Sequence, residues 1–498
     1  MVQWQPLCIE KISYSNVPDN RVVFQVFEVK AGLKGIRVRC EGSGERMAEQ
    51  EVQDLYDDYT NHPLVQDEQK KMLLPYVLRH HAYWKKHCCT FLIFDPSHIF
   101  RGSLSSGESG WKMICPDINL EESELPAGEW IIQVVQLYGL TWNSDWMVEI
   151  EGTTEEAGVE PVPLKTYAIQ EFSEQTHEPS WRVGELFETI VTDTQRQGIE
   201  EQIQRYQSLG YSFCGLSALS KVPVRSFLQS FEIGIIAGQE IITACGGAFL
   251  PGTREVIRAF ENNQAQLLQN IIYETHSQGG LFCLLNPFSI RELSMKNLPL
   301  SEEDWQAVDF LQVWSGVWRE KFPEILKALD LWDRLLNRGH RIYAVCGKSA
   351  EVEISDQTVE MLPKLIVLSE STSEADLLMG MKLGQSYMTV EPAISLWIES
   401  EYGGGAPGDE VHLPVGAPFL LYFEISCIQR GGFVKVKSNE GILCEMPVSS
   451  VRNTQQKFIL SAQENIQWFR LELYQYGRPL DELLALSNPV FVRGMISV

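Results

Sequence analysis

The chain has 498 residues, more than one ordinary hydrophobic core accommodates, and 44% hydrophobic, 21% charged and 10% aromatic residues are the balance of folded domains rather than of disorder. With 66 acidic against 41 basic side chains the formal charge is −25. A field of that sign repels phosphate backbones and anionic lipid, so neither nucleic acid nor a membrane is an expected partner.

The same acidity attracts divalent cations, but a solubilising surface is the simpler account of it. Eleven cysteines, from Cys8 to Cys444, include no Cys-x-x-Cys pair. That speaks against a disulfide framework and a zinc ribbon, and for reduced thiols in a cytoplasmic protein. The N-terminal stretch lacks a basic run followed by an apolar one, and no apolar run reaches about 18 residues, so neither export nor a membrane span is expected.

Residues 1–155 read as short strands, VVFQVFEV, GIRVRC, CCTFLIFD and EWIIQVVQLY, broken by Gly, Pro, Asp and Ser, which is the pattern of a β-sandwich. Between Arg46 and Lys86 the period turns helical. There Val52, Leu55 and Tyr56, then Met72, Leu73 and Tyr76, mark helix faces that must pack on something, either the sandwich itself or a partner protein. The polar stretch EGTTEEAGVEPVPLK leads into a linker over 156–180.

From 181 to 392 strands and helices alternate. A strand begins at Val183; a helix with Ile199, Ile203 and Tyr206 on one face stops at Gly210; YSFCGLS, EIGIIAG, LFCLL and FLQVW follow. A helix through Leu329, Trp332 and Leu336, closed by Gly339, precedes RIYAVCG. Such alternation predicts a parallel sheet or barrel. Over 393–498 the strand pattern returns in FLLYFEIS, GFVKVKS, KFILSA, WFRLELYQY and PVFVRG, a second β-sandwich.

In their order, the phrases IFDPSHIFRGS, LPAGEWIIQV, HSQGGLFCLLNPF, VWSGVW, LWDRLLNRGHRIYAVCG and WFRLEL give the chain a resemblance to the CehA/McbA-like branch of the PHP (polymerase and histidinol phosphatase) superfamily. The resemblance implies a central distorted β/α-barrel between an N-terminal and a C-terminal β-sandwich. It also implies a cluster of His, Asp and Glu at the C-terminal ends of the barrel strands, holding two or three metal ions that activate water for phosphoester hydrolysis.

Most of that cluster is replaced here. The family's Gly-Asp-x-His-x-His-Thr falls on Gly184 to Ile190, which sets Glu185 at the Asp and Phe187 and Thr189 at the two His positions. Ala218 and Leu219 stand for an Asp and a His, Gly247 for a His after Gly246, and Asn286 for the His before Pro287. The closing Ser-Asp-Ala-His reads Lys348, Ser349, Ala350 and Glu351, and only Glu240 keeps a carboxylate ligand of the family. Over 181–392 the histidines are His276 and His340, too few for sites that take imidazole and carboxylate together. His340 reads as a surface residue at a helix end, and His276 as the buttress of a turn.

The expectation is a non-catalytic homologue of these hydrolases, a binding or scaffold protein for an unknown protein or small-molecule ligand, with no cofactor. Its remnant pocket would gather Glu240, Asn286, Ser349 and Glu351 at the mouth of the barrel, with Phe187 and Leu219 beside them. Lys348 could neutralise Glu240 or Glu351 by pairing. The alternative is a divergent phosphoesterase with a site rebuilt from Glu185, Glu240 and Glu351, assisted by Asn286 and His276, whose oxygen ligands would suit Mg or Mn. Cys214, Cys245, Cys283 and Cys346 fall in apolar runs and read as core. His80, His81 and His87 with Cys88 and Cys89 read as an exposed helix end rather than a metal site.

Overall fold

A computed structural model describes residues 2–14, 22–44, 49–84, 89–98, 100–105, 110–116, 122–136, 144–155, 179–190, 203–219, 231–243, 246–257, 264–288, 300–347, 361–426 and 428–495. Its first part holds β1 (Gln5–Tyr14), β2 (Val22–Val29), β3 (Gly35–Gly44), helices α1 (Glu49–Thr60) and α2 (Asp67–Trp84), β4 (Cys89–Phe94), β5 (Phe100–Ser105), β6 (Lys112–Ile114), β7 (Gly128–Gln136) and β8 (Ser144–Thr153). The strands form two antiparallel sheets, β1-β8-β3-β6 and β2-β7-β4-β5. Alternation decides their faces: Ile36, Val38 and Cys40 point into the core, while Arg37 and Arg39 between them reach Glu151 and Glu149 on β8 at 2.7 and 2.8 Å.

The central part runs β9 (Ser180–Ile190), β10 (Phe213–Leu219), β11 (Gly234–Thr243), β12 (Gly246–Pro251), α3 (Gln264–Ser277), β13 (Cys283–Leu285), α4 (Glu302–Gln306), β14 (Phe310–Ser315), α5 (Trp318–Asn337), β15 (Tyr343–Gly347), β16 (Lys364–Ser369), α6 (Glu374–Lys382) and β17 (Ser386–Thr389). Residues 203–208 are helical, bury Ile203 and Tyr206, and stop at Gly210, whose φ of +78° suits glycine.

The expected parallel order holds for β9-β10-β11 and for β13-β14-β15. It is interrupted by β12, antiparallel to both β11 and β13, and by β16, antiparallel to both β9 and β17. Only residues 244–245 separate β11 from β12, a link too short for the crossover that parallel strands need. At one end of this sheet β15 lies beside β9, β16 and β17. No backbone register among the described residues joins it to them.

The last part contains β18 (Ile394–Ser400), β19 (Gly403–Gly405), β20 (Glu410–Pro414), β21 (Pro418–Ile425), β22 (Gly432–Ser438), β23 (Gly441–Val448), β24 (Thr454–Ser461), β25 (Gln467–Gln475), β26 (Glu482–Ser487) and β27 (Val490–Met495). One sheet is β19-β18-β21-β24. The other, β26-β25-β22-β23, continues the central sheet, because β17 pairs with β26.

Helix α5 is held from two sides. Toward the C-terminal strands, Arg470 is fully buried, donates to Asp333 Oδ1 at 2.7 Å, lies 2.7 Å from Glu472 Oε1 and stacks over Trp332. Trp468 Nε1 donates to Asn337 Oδ1 at 2.9 Å and Trp318 Nε1 to the Asp481 carbonyl at 2.9 Å. On the other side lies the helical insertion. Expected to pack on a partner protein or on its own sandwich, the insertion makes described contacts with α5 and with the segment between β25 and β26. Tyr59 donates to the Glu320 carbonyl at 2.9 Å, Lys327 to the Asp58 carbonyl at 2.6 Å, His62 meets Asp330 at 3.0 Å, and Gln69 reaches the Pro479 carbonyl at 3.3 Å. The amphipathic faces read from Tyr56, Met72, Leu73 and Tyr76 thus join the common core.

Candidate functional site

The site is built on the ends of β9, β10, β11, β13, β14 and β15. Register sets Thr189 opposite Ser217, Ser217 opposite Gly238, and Leu219 opposite Glu240. Gly247 bridges Ile242 of β11 and Leu285 of β13, and Ala218 lies opposite Ile190. Paired residues on neighbouring strands share a face, so Ser217 and Glu240 come together, and the Ser217 hydroxyl donates to Glu240 Oε2 at 2.9 Å.

On the far side of the same rim Asn286 follows β13 with a φ of +38°, a left-handed conformation that Asn tolerates better than most residues. Its N–H donates to Gln312 Oε1 at 3.0 Å, and Gln312 Nε2 reaches the Gly347 carbonyl at 3.4 Å. One buried carboxamide on β14 therefore ties the end of β13 to the end of β15. Trp314, on the same strand, is fully buried, and its Nε1 has no described acceptor.

Several expected site residues are not brought to this rim. Glu185 is buried opposite Cys214, five positions before Leu219 along β10, so it lies about 16 Å from the level of Glu240 and on the opposite face of the sheet. There its charge, after burial itself, pushes the Tyr211 hydroxyl and the Cys346 thiol upward. His276 ends α3 and meets Asp309 Oδ2 at 2.8 Å, an oxygen that also accepts the Phe282 N–H. That places it at the starts of β13 and β14, away from Asn286. His340 is buried rather than at the surface as expected, because the chain reverses at Gly339 and tucks the imidazole against Glu302 of α4 at 2.9 Å.

Only the backbone of Phe187, Thr189, Ala218 and Leu219 is described, and Lys348, Ser349, Ala350 and Glu351 lie outside the described residues. So do Cys245, His87, Cys88 and the side chains of His80, His81 and Cys89. Cys214, Cys283 and Cys346 are fully buried, and burial raises the Cys283 and Cys346 thiols well above their ordinary range, which keeps them protonated and unreactive.

A centre of two or three metal ions needs several converging nitrogen and oxygen donors. Among the described residues the rim offers the Ser217 hydroxyl, the Glu240 carboxylate and the Asn286 amide, and no group of three or more His, Cys, Asp or Glu converges anywhere. Phe187, Ala218, Leu219 and Gly247 have no metal-ligating side-chain atoms. The described residues of the rim do not fit such a centre. Sequence reasoning passed over Gln312 and Ser217; the visible signal for the first is a lone amide within the apolar run FLQVW.

No protein-family model matches the chain, and no curated protein matches it. Among solved structures it is similar to a two-domain Bacteroides vulgatus protein containing a predicted PHP-like metal-dependent phosphoesterase, with 10% identity over 65% of this chain and 100% of that one, at a TM-score of 0.36. It is also similar to β-glucuronidase 2 of Bacteroides uniformis, with 7% identity over 98% of this chain and 61% of that one, at a TM-score of 0.15. Values this low leave the functional inference to the residues themselves.

Proposed function

We propose that this chain is a non-catalytic homologue of the PHP-type hydrolases, of the CehA/McbA-like branch, that serves as a binding or scaffold protein. The observation that carries the proposal is the Ser217–Glu240 hydrogen bond of 2.9 Å. The one carboxylate retained at a family ligand position is engaged by a neighbouring hydroxyl, and among the described residues the rim brings no second carboxylate and no imidazole to it. A single carboxylate can attract a cation but cannot assemble the paired ions that activate water.

On this proposal 181–392 is a distorted barrel whose seam lies where β15 approaches β9, β16 and β17, flanked by sandwiches over 1–155 and 393–498 and joined to the first by a linker over 156–180. The protein works in the cytoplasm without a cofactor, Lys348 supplies a cation near Glu240 or Glu351, and the ligand is a protein or small molecule rather than nucleic acid or lipid.

The test is metal content and turnover together. Protein purified without chelators should carry well under one transition-metal ion per chain by mass spectrometry. Hydrolysis of p-nitrophenyl phosphate and bis-p-nitrophenyl phosphate should stay at background with Zn, Mn, Mg or Fe added. Metal-dependent turnover that vanishes in Glu240→Ala would overturn the proposal in favour of a rebuilt hydrolase using Mg or Mn.

A further inference from the structure

Strand β24 ends its sheet, pairing with β21 from Pro418↔Ser461 to Ile425↔Thr454 without a register shift. Among the described residues no backbone hydrogen bond reaches its other side. An open row of N–H and C=O groups is a template for a further strand, and proteins ordinarily blunt such edges with bulges, prolines, charges or brevity.

The neighbouring edges are blunted in these ways. β23 contains Pro447 and its pairing shifts between Val436 and Lys437, β19 is three glycines, and β20 is five residues ending in Pro414. Of these devices β24 has a single charge alone. It reads Thr-Gln-Gln-Lys-Phe-Ile-Leu-Ser, with no Pro, no Gly and the single charge of Lys457, and its Ile459 is 78% exposed.

We propose that two copies of this chain join edge to edge through β24, antiparallel about a two-fold axis at Phe458. Cross-strand partners must lie on one face, so a symmetric antiparallel pairing has to be centred on a residue. Centring on Phe458 pairs seven residues: Gln455 with Ser461, Gln456 with Leu460, Lys457 with Ile459, and Phe458 with itself. The Lys457 stem then covers the exposed Ile459 of the second copy and no like charges meet. Centring on Lys457 sets two ammonium groups face to face, and centring on Gln456 or Ile459 shortens the overlap to five residues. The strand carries one positive charge and no acidic residue in a chain of −25, so the strand itself brings no negative charge to the contact.

Sedimentation velocity on the full chain across a concentration series at physiological salt should show a monomer–dimer equilibrium. Ile459→Lys changes a solvent-facing side chain, so circular dichroism and melting should stay at wild type. Because it sets like charges opposite one another, dimerisation should weaken at least tenfold. Adding Lys457→Glu to Ile459→Lys should restore it through opposite charges in the same register. Independently, Gln455→Cys with Ser461→Cys should give an oxidised covalent dimer that neither single substitution gives, the two positions being about 20 Å apart within one strand. A wild-type chain that stays monomeric, a dimer indifferent to Ile459→Lys, or failure of both the charge rescue and the cross-link would overturn the proposal.

Discussion

Asn488 hydrogen-bonds both backbone groups of Ala344 with one side chain: its Oδ1 accepts the Ala344 N–H at 2.8 Å and its Nδ2 donates to the Ala344 carbonyl at 3.2 Å. The same Nδ2 reaches the Ser386 carbonyl and hydroxyl at 3.2 and 2.9 Å. A carboxamide thus does at the open edge of β15 what a neighbouring strand would do, and spans the gap to β17.

Asn488→Ala should therefore cost about 3 kcal/mol or more in urea unfolding, since the buried N–H and C=O of Ala344 both lose the carboxamide that pairs them. Asn488→Asp keeps the shape and the acceptor but buries a charge beside two further acceptors. It should be the more damaging of the two. Equal stability of Asn488→Ala and wild type would show that water takes over the edge.

Gln312→Leu removes the tether between the Asn286 N–H and the Gly347 carbonyl. The expected loss is about 1–3 kcal/mol. Hydrogen exchange should locate it: amides near Asn286 and Gly347 should lose protection while those of β21 and β25 keep theirs.

Arg470 is the buried cation between Asp333 and Glu472. Arg470→Ala leaves two carboxylates facing each other with Lys437 as the remaining described cation between them, and should destabilise by about 3–5 kcal/mol. Chemical denaturation of the full chain measures this directly.

Acidification should act on the same cluster. Burial alone would raise the Glu472 pKa, but Arg470, Lys437 and the Tyr474 hydroxyl outweigh it and hold the carboxyl below its ordinary 4.5. A depressed carboxylate contributes stability that is complete above its unfolded value and is lost as pH falls through the folded one. Stability should thus decline below about pH 4.5, and Glu472→Gln should be less stable near neutrality while showing a shallower acid limb.

Tyr59→Phe deletes the bond to the Glu320 carbonyl and should cost about 1 kcal/mol. Replacing residues 49–84 by a short Gly/Ser turn should do far more, uncovering the buried Lys321 and Glu324 of α5. Faster exchange in the first half of α5 is the expected signature; unchanged protection there would return the insertion to the role of a docking element.

The strands of the first and last parts were legible because alternation of the kind seen in Ile36, Val38 and Cys40 is local. So were the helix stops at Gly210 and Gly339. β12 was not, since GGAFLP carries no alternation and its direction follows from a two-residue link. The contact of Tyr59 with Glu320 spans 261 positions, and no pattern within either segment points to the other. At the rim, the lack of ligating atoms at Phe187, Ala218 and Leu219 could be read from residue types alone, but the Ser217–Glu240 pair needs the register of β10 on β11. The wrong face of Glu185 follows from the register of β9 on β10.

The pairing of β17 with β26 also bears on how the chain emerges from the ribosome. Tyr387 finds its partner Ser487 only after a hundred further residues have been made. Until then one margin of the central sheet stays bare, and the middle of the molecule cannot finish folding ahead of the end. Removal of residues 482–498 would consequently be felt not only at β20 and β25, which pair with β27, but also at β15 and β17, where the nascent sheet waits for Asn488 and for the strand just before it.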